Sequence, residues 1–127
     1  MKELILTVII ALAFLLVGCS QNSGDSAMIT ESYIEALVNK DVNKVISLSC
    51  ADWEEQAILE VDSLLSVSAS LDNISCKEVD NNGDAVLVVC SGNILLTYED
   101  EVQKIDLSRR TYFMKYEGGD WRVCGYE

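Results

Sequence analysis

The chain of 127 residues contains no histidine, and its nine Lys and Arg residues are outnumbered by 21 Asp and Glu residues. Histidine is the most frequent acid–base catalyst near neutral pH and the commonest metal ligand, so its absence argues against many enzyme classes and against a metal site. The net charge of −12 repels nucleic acid phosphates. We therefore expect no nucleic acid partner, and the sequence indicates no cofactor. The acidity is most simply a source of solubility.

The first 18 residues have the layout of an export signal. Residues 4–17 are apolar except for Thr7, and this run is too short to span a bilayer comfortably but suits the core of a signal peptide. It ends in Leu16-Val17-Gly18-Cys19, which resembles the lipobox of bacterial lipoproteins. The resemblance implies cleavage between Gly18 and Cys19 and a diacylglyceryl group on the sulfur of Cys19. An ordinary cleaved signal and an uncleaved anchor are the alternatives.

Lipidation at Cys19 predicts where the protein is found and how its parts are arranged. Several acyl chains give stable attachment, so we expect a lipid-anchored protein of the cell envelope, on the outer face of the cell membrane. Residues 20–26 are small and polar, as in a flexible tether. The remainder has the length of one domain. The predicted parts are the signal peptide (1–18), the lipidated cysteine with its tether (19–26) and a folded domain (27–127).

The first part of this domain shows helical periodicity. Apolar residues recur every three or four positions over 27–39, and a second short helix follows Asp41, which is a suitable cap. Asp52-Trp53-Glu54-Glu55 has the pattern of a capping box and predicts the start of a third helix. The apolar stripe of that helix comprises Trp53, Ala57, Val61 and Leu64.

After Val67 the pattern changes to strand-like alternation with many β-branched residues. Gly92 is a suitable place for a bulge or sharp bend in the second strand, and a change of apolar parity in the third strand indicates a further bulge. Helices followed by strands predict an α+β domain, with N-terminal helices on one face of a strongly bent, cone-shaped antiparallel sheet. The predicted strands cover residues 71–79, 85–98, 102–116 and 121–126.

Three segments carry a resemblance to a known superfamily. They are Tyr33-Ile34-Glu35-Ala36-Leu37 with Asp41, then Leu48-Ser49-Cys50, and finally Trp121-Arg122-Val123-Cys124. Over about residues 27–126 the chain resembles the nuclear transport factor two-like (SnoaL-like, cystatin-like) superfamily, and in particular its small bacterial lipoproteins of unassigned function. The resemblance implies the cystatin-like cone and leaves the activity open.

Four cysteines remain after Cys19. An even number in a small exported domain predicts two disulfides, and the spacings include no C-x-x-C pair of the zinc-binding type. Cys76 and Cys90 flank the turn at 80–83 at nearly equal distances, which favours a bridge between them. Cys50 and Cys124 would then form the second bridge. Three connectivities are possible, and the sequence does not choose among them.

Large side chains could line a cavity inside the cone or simply fill the core. Isomerases and cyclases of this superfamily place a carboxylate and a hydroxyl inside the cone, which makes Asp106 a candidate. Asp106 lies between Ile105 and Leu107, however, so strand alternation predicts that it faces water. No catalytic residue is assigned. The possible pocket residues are Tyr33, Trp53, Tyr98, Tyr112, Met114 and Trp121.

Two charged segments complete the set of candidate sites. Asp80, Asn82 and Asp84 alternate as in calcium loops, but the glycine spacing is wrong and no bidentate Glu follows, so we interpret them as a turn with no metal. Basic residues cluster in the late strands. They could contact an acidic partner or an anionic ligand, or could be the solvent-exposed face of a sheet. This possible contact patch comprises Lys104, Arg109, Arg110, Lys115 and Arg122.

These observations favour a noncatalytic, membrane-anchored domain outside the cytoplasm that binds an unknown protein or small-molecule ligand. One alternative is a small isomerase or hydrolase-like enzyme that uses a carboxylate in the cone pocket. Another is a purely structural envelope protein, which would have no pocket of useful volume.

Overall fold

The computed structural model describes residues 25–83 and 85–127. The predicted signal peptide, Cys19 and most of the predicted tether lie outside the described residues. Within the described part, none of the helices combines the length and the apolar character needed to cross a membrane.

Three helices form the first layer of the domain. They are α1 (Asp25–Val38), α2 (Val42–Ser47) and α3 (Glu54–Leu64). The first helix already includes Asp25 and Ser26, which the sequence analysis assigned to the tether. Asp41 caps α2 as predicted, because its Oδ1 accepts a hydrogen bond from the backbone N–H of Lys44 at 3.1 Å.

The predicted capping box before α3 is wrong. A 3-10 turn occupies Ala51–Trp53. The backbone N–H of Trp53, the last residue of this turn, donates a hydrogen bond to the carbonyl oxygen of Cys50 at 3.0 Å. Helix α3 then begins without a side-chain cap. A backbone turn thus precedes the helix where the sequence pattern predicted that the side chain of Asp52 would cap it.

Five antiparallel strands form the second layer. They are β1 (Ser68–Asn81), β2 (Ala85–Tyr98), β3 (Glu101–Asp106), β4 (Thr111–Glu117) and β5 (Asp120–Tyr126). Strand β2 pairs with β1 along one side and with both β3 and β4 along the other, and β5 extends the sheet beyond β4. The α+β class and the curled antiparallel sheet predicted from the sequence are confirmed.

The long third strand predicted over 102–116 is divided in the structure. A 3-10 turn at Leu107–Arg109 separates β3 from β4, and its Leu107 side chain is fully buried. Asp106 caps this turn, since its Oδ1 accepts hydrogen bonds from Ser108 N at 3.0 Å and from Ser108 Oγ at 2.7 Å. The change of apolar parity therefore arises from a helical turn rather than from the predicted bulge.

The pairing of β1 with β2 is irregular where β1 passes Gly92 of β2. Asp72 pairs with Asn93 and Ser75 with Ser91, so two residues of β1 lie opposite the single Gly92. Gly92 adopts φ +94°, and a Cβ built on it would lie 2.5 Å from the backbone oxygen of Asn73. Only glycine fits such a close approach of two backbones.

The four cysteines form two disulfide-capable pairs. Cys76 lies directly opposite Cys90 with the two Cα atoms 4.0 Å apart, and the Cα atoms of Cys50 and Cys124 are 4.9 Å apart. These are the two pairs that the sequence analysis favoured. The second pair joins the segment between α2 and α3 to the last strand.

The core lies between the helices and the concave face of the sheet. Its largest fully buried side chains come from α1, from the 3-10 turn after β3 and from β4. Apolar burial of this kind is the main stabilising contribution to the fold. These side chains are Tyr33, Ile34, Leu37, Leu107, Tyr112 and Met114.

Candidate functional site

A carboxylate interrupts the apolar stripe of α3. Glu60 lies three residues after Ala57 and four before Leu64, both of which are buried, so helical geometry turns the side chain of Glu60 towards the core. Its Oε1 atom is shielded from solvent and accepts no hydrogen bond from the described residues. An unsatisfied buried acceptor costs free energy, so in native proteins such a group is met by a water, an ion or a ligand, stores strain or takes part in chemistry.

Glu60 faces a hollow inside the curled sheet, which we call the cone cavity. Its volume is about 100 Å³. That is room for a few water molecules, at about 30 Å³ each, or for a short part of a ligand. The cone cavity is lined by Leu37, Glu60, Ser63, Leu64, Ile94, Ile105, Arg110 and Tyr126.

Aromatic side chains pack around the inner end of the cone. The indole Nε1 of Trp53 donates a hydrogen bond to the hydroxyl of Tyr33 at 2.9 Å. The ring of Tyr126 meets that of Trp53 edge-on at a centroid distance of 5.8 Å and that of Tyr112 at 5.3 Å. These contacts fix the rings in orientation, so the walls near Glu60 are rigid.

Arg110 brings a positive charge to the same space. Its guanidinium carbon lies 4.3 Å from the centroid of the Tyr126 ring, and its Nη1 donates a weak hydrogen bond to the Tyr112 hydroxyl at 3.4 Å. A guanidinium over an aromatic face is favourable, more so when it is partly shielded from water. Arg110 is therefore held at the cavity wall.

Burial sets the protonation of the groups around the cavity. It raises the pKa of the Glu60 carboxyl above its usual value, although the charge of Arg110 and the Tyr126 hydroxyl oppose this change. Burial, followed by the negative charge of Glu60, raises the pKa of Tyr126 to about 12. Burial also raises the pKa of Tyr112 and of Tyr33. The tyrosines are therefore neutral hydroxyls at physiological pH.

The first prediction concerns stability and pH. Glu60→Gln is expected to stabilise the protein by about 1 kcal/mol at about pH 8, because the neutral amide avoids the cost of burying an ionised carboxylate. Because the folded-state pKa of Glu60 exceeds the unfolded-state value, wild-type stability is complete at low pH and is lost as the pH rises through the folded pKa. Urea unfolding at about pH 4 and about pH 8 measures this difference.

The matched control for this experiment is Glu55→Gln, since Glu55 is an exposed glutamate on the same helix. It should change stability little at either pH. A Glu60→Gln effect of the same size at both pH values would contradict the assignment of Glu60 as a buried, titrating carboxyl.

The structure separates the predicted pocket residues into three places. Tyr33, Trp53 and Tyr112 belong to the aromatic packing at the inner end of the cone. Met114 lies in the core, where its sulfur accepts a hydrogen bond from Thr30 Oγ1 at 3.3 Å. Tyr98 is 41% exposed at the turn between β2 and β3.

Trp121 lies at the opposite end of the domain from the turn that holds Asp106. Its ring meets that of Tyr116 edge-on at 5.4 Å, beside a surface groove of about 210 Å³ that also contacts Met28 and Ile29 near the start of α1. Trp121 is therefore separate from the cone cavity.

Asp106 is on the solvent-facing side of β3, as the alternation argument predicted. It is exposed, and its hydrogen bonds from the Ser108 hydroxyl and backbone hold the pKa of the carboxyl below its usual value. A carboxylate that stays ionised and caps a turn is not suited to acid–base catalysis inside the cone.

The five basic residues of the predicted contact patch form two groups. Lys104, Arg109 and Arg110 surround a hollow at the end of β3. Lys115 pairs with Arg122 across β4 and β5, where Arg122 donates hydrogen bonds to the backbone oxygens of Glu117 and Ser47. The two groups lie at opposite ends of β4.

The end of β1 and the turn that follows it are held by local hydrogen bonds. Asp80 Oδ1 accepts a bond from Asn81 N at 2.8 Å, and Asn81 Oδ1 accepts one from Gly83 N at 2.7 Å, which is the arrangement of a turn. Asn82 is exposed, and Asp84 lies outside the described residues. Within 25–83 and 85–127, no group of three His, Cys, Asp or Glu side chains is placed to hold a metal ion.

Sequence reasoning missed Glu60 and Tyr126. The signal for Glu60 was present, because a carboxylate three residues after Ala57 and four before Leu64 falls within the predicted apolar stripe. Tyr126 is in the predicted last strand, but nothing local marks it as a neighbour of Glu60. Arg110 was identified as a surface charge and not as part of a cavity.

Comparison with known proteins gives the fold. No protein-family model matches the sequence, and no curated protein matches it significantly. Among solved structures, an NTF2-like protein of unknown function in nutrient uptake from Rhodospirillum rubrum superposes with a TM-score of 0.63 at 16% identity, over 80% of this chain and 94% of that one. An NTF2-like protein with a cystatin-like fold from Novosphingobium aromaticivorans gives 0.61 at 12%, over 96% and 87%.

A candidate dehydratase of the NTF2-like family from Streptomyces avermitilis also superposes, with a TM-score of 0.53 at 15% identity, over 81% of this chain and 92% of that one. At these identities the likeness shows the fold alone. The chain has the NTF2-like, cystatin-like fold, a fold shared by proteins of unknown function and by enzyme-like members.

Proposed function

We propose that the chain is a lipid-anchored protein of the cell envelope whose cone cavity binds a small molecule without transforming it. The observation that carries the binding part is the Glu60 Oε1 atom, which is buried beside a cavity and accepts no hydrogen bond from the described residues. The anchoring part rests on Leu16-Val17-Gly18-Cys19 at the end of the apolar leader.

The chemistry of the cavity defines what it can hold. A ligand hydroxyl or amine would supply the hydrogen bond that the Oε1 atom of Glu60 lacks, and so would recover the free energy lost on burial of that atom. The ring of Tyr126 and four aliphatic side chains provide apolar contact. Beside them, Glu60, Ser63 and Arg110 supply polar groups of the kind that orient a ligand in small-molecule sites.

Native mass spectrometry tests the binding part. Protein extracted gently from membranes is expected to carry a small molecule of defined mass, Glu60→Gln is expected to lose most of it, and Glu55→Gln is expected to retain it. Wild-type protein without bound mass, or a Glu60→Gln variant that keeps the molecule fully, would refute binding in the cone cavity.

Lipidation is tested on the full-length chain with a fatty-acid label. Wild-type protein should take up the label and remain with membranes, because a thioether-linked diacylglyceryl group and a further acyl chain bind too tightly to dissociate. Cys19→Ala should be unlabelled and should retain the leader. An unlabelled wild type, or equal label in the variant, would rule out the anchor at Cys19.

A second candidate function is acid–base catalysis, and the raised pKa of Glu60 favours it. A carboxyl that titrates nearer neutral pH can remove a proton from a ligand carbon and return it, while neutral Tyr126 or Tyr112 hydroxyls donate hydrogen bonds to the oxyanion that forms. Incubation of the complex in D₂O distinguishes the two functions. Catalysis places deuterium on carbon in the ligand and requires Glu60, whereas simple binding leaves carbon-bound hydrogen in place.

A further inference from the structure

Three positive side chains surround one hollow at the end of β3, which we call the cationic hollow. Lys104, Arg109 and Arg110 line this space of about 520 Å³ together with Ile105 and Asp106. They are three of only nine Lys and Arg residues in a chain of net charge −12. A cluster of this kind produces a locally positive potential on an otherwise negative surface.

Asp106 offsets only one of the three positive charges of the cationic hollow. Its Oδ1 accepts both hydrogen bonds from Ser108 and holds the 3-10 turn in place. This 3-10 turn places Arg109 and Arg110 beside Lys104 of β3. With three positive charges and one negative charge on its walls, the cationic hollow keeps an excess of two positive charges.

The cationic hollow and the cone cavity are neighbours, because Ile105 and Arg110 line both. Arg110 is fixed at this boundary by its contacts with Tyr126 and Tyr112. A ligand could therefore place an apolar end against Leu64 and Ile94 and a charged end among the cations. The small volume of the cone cavity, about 100 Å³, limits the apolar end to a short chain.

We infer that the ligand of this site is a small organic carboxylate that also carries a hydroxyl or amine, with its carboxylate bound by Lys104, Arg109 and Arg110 and its short body in the cone cavity, where the hydroxyl or amine meets Glu60. This inference rests on the proposed binding function and adds the ligand class. Planar guanidinium groups match the geometry of a carboxylate. When Glu60 is ionised, its negative charge offsets the positive charge of Arg110. The cationic hollow then has a single excess positive charge, which suits a monoanion better than a phosphate dianion.

The probe pair is hexanoate and its neutral analogue hexanamide, titrated at neutral pH and low salt while the amide resonances of Ile105 and Arg110 are followed by NMR. Hexanoate is expected to bind about ten-fold more tightly than hexanamide, as one to two charge-assisted hydrogen bonds would give. The preference should fall to near unity in the double variant Lys104→Gln/Arg109→Gln, and salt should weaken hexanoate binding alone.

The control is Lys115→Gln, which removes one positive charge from the other end of β4 and should keep the preference, and Lys104→Gln alone gives the effect of one positive charge removed at the cationic hollow. Lys104 and Arg109 are exposed, so the double variant should fold normally, and its melting temperature checks this. Equal binding of both probes, or unchanged preference in the double variant, would overturn the carboxylate site while leaving a cavity for neutral ligands. Absence of hexanoate binding would also overturn it, whereas the proposed function is decided separately by the copurified ligand.

Discussion

Substitution of Gly92 by alanine is expected to destabilise the folded protein by about 3–5 kcal/mol, enough to unfold much of the population of a marginally stable domain. The added Cβ would lie 2.5 Å from the backbone oxygen of Asn73 and 2.6 Å from that of Asp72. Neither oxygen can move away without breaking the pairing of β1 with β2. The φ of +94° adds the strain of a left-handed conformation.

The matched control is Gly83→Ala. Gly83 has a similar φ of +87°, but a Cβ there would meet no atom within 4 Å among the described residues. Gly83→Ala should therefore lower the stability of the folded protein only by the conformational strain, about 1–2 kcal/mol. Urea unfolding followed by far-UV circular dichroism measures both variants. Equal losses would show that φ alone, and not the approach of the two backbones, determines the need for glycine at position 92.

The second large effect is expected from the Cys50–Cys124 pair. Once oxidised, a bridge across a sequence separation of 74 should stabilise the protein by about 4 kcal/mol in the chain-entropy model, against about 3 kcal/mol for Cys76–Cys90 with a separation of 14. The double variants Cys50→Ala/Cys124→Ala and Cys76→Ala/Cys90→Ala compare the two losses. The longer closed loop should give the larger one.

Peptide mapping without reduction first establishes that each pair is oxidised, and the urea midpoints then give the two losses. A larger loss for Cys76→Ala/Cys90→Ala would mean that native-state packing outweighs loop entropy. A peptide that joins Cys50 to Cys76 would contradict the pairing altogether.

The fold was predictable because its main elements have strong periodic patterns. Strand β2 matches the predicted bounds of 85–98, and the helical stripe of α1 is buried against the sheet. The 3-10 turns were missed because three residues are too few to show a period. At Leu107–Arg109 this error turned two strands into one. The resulting model of a single bulged strand could not show that Arg110 faces the cone.

The candidate site was less predictable than the fold. Glu60, Arg110 and Tyr126 are far apart in sequence and meet only when α3 packs into the concave face of the sheet. A local pattern could identify Glu60 as a misfit in an apolar stripe, but its burial and the position of Arg110 depend on tertiary contacts. The positions of Tyr98 and Trp121 away from the cone cavity also could not be predicted, because size and hydropathy do not say which end of a sheet a side chain occupies.

The pairing of Ser49 with Val123 has a consequence for self-association. Strand β5 ends the sheet on one side, and its Val123 exchanges backbone hydrogen bonds of 2.8 Å with Leu48 and Cys50. On the other side of the sheet, the Oε1 of Glu31 in α1 accepts a hydrogen bond from the backbone N–H of Cys76 in β1 at 2.8 Å. Strands β1 and β5 thus each have a mid-strand backbone group that is already hydrogen-bonded within the chain, which hinders the addition of a strand from a neighbouring molecule at these two edges.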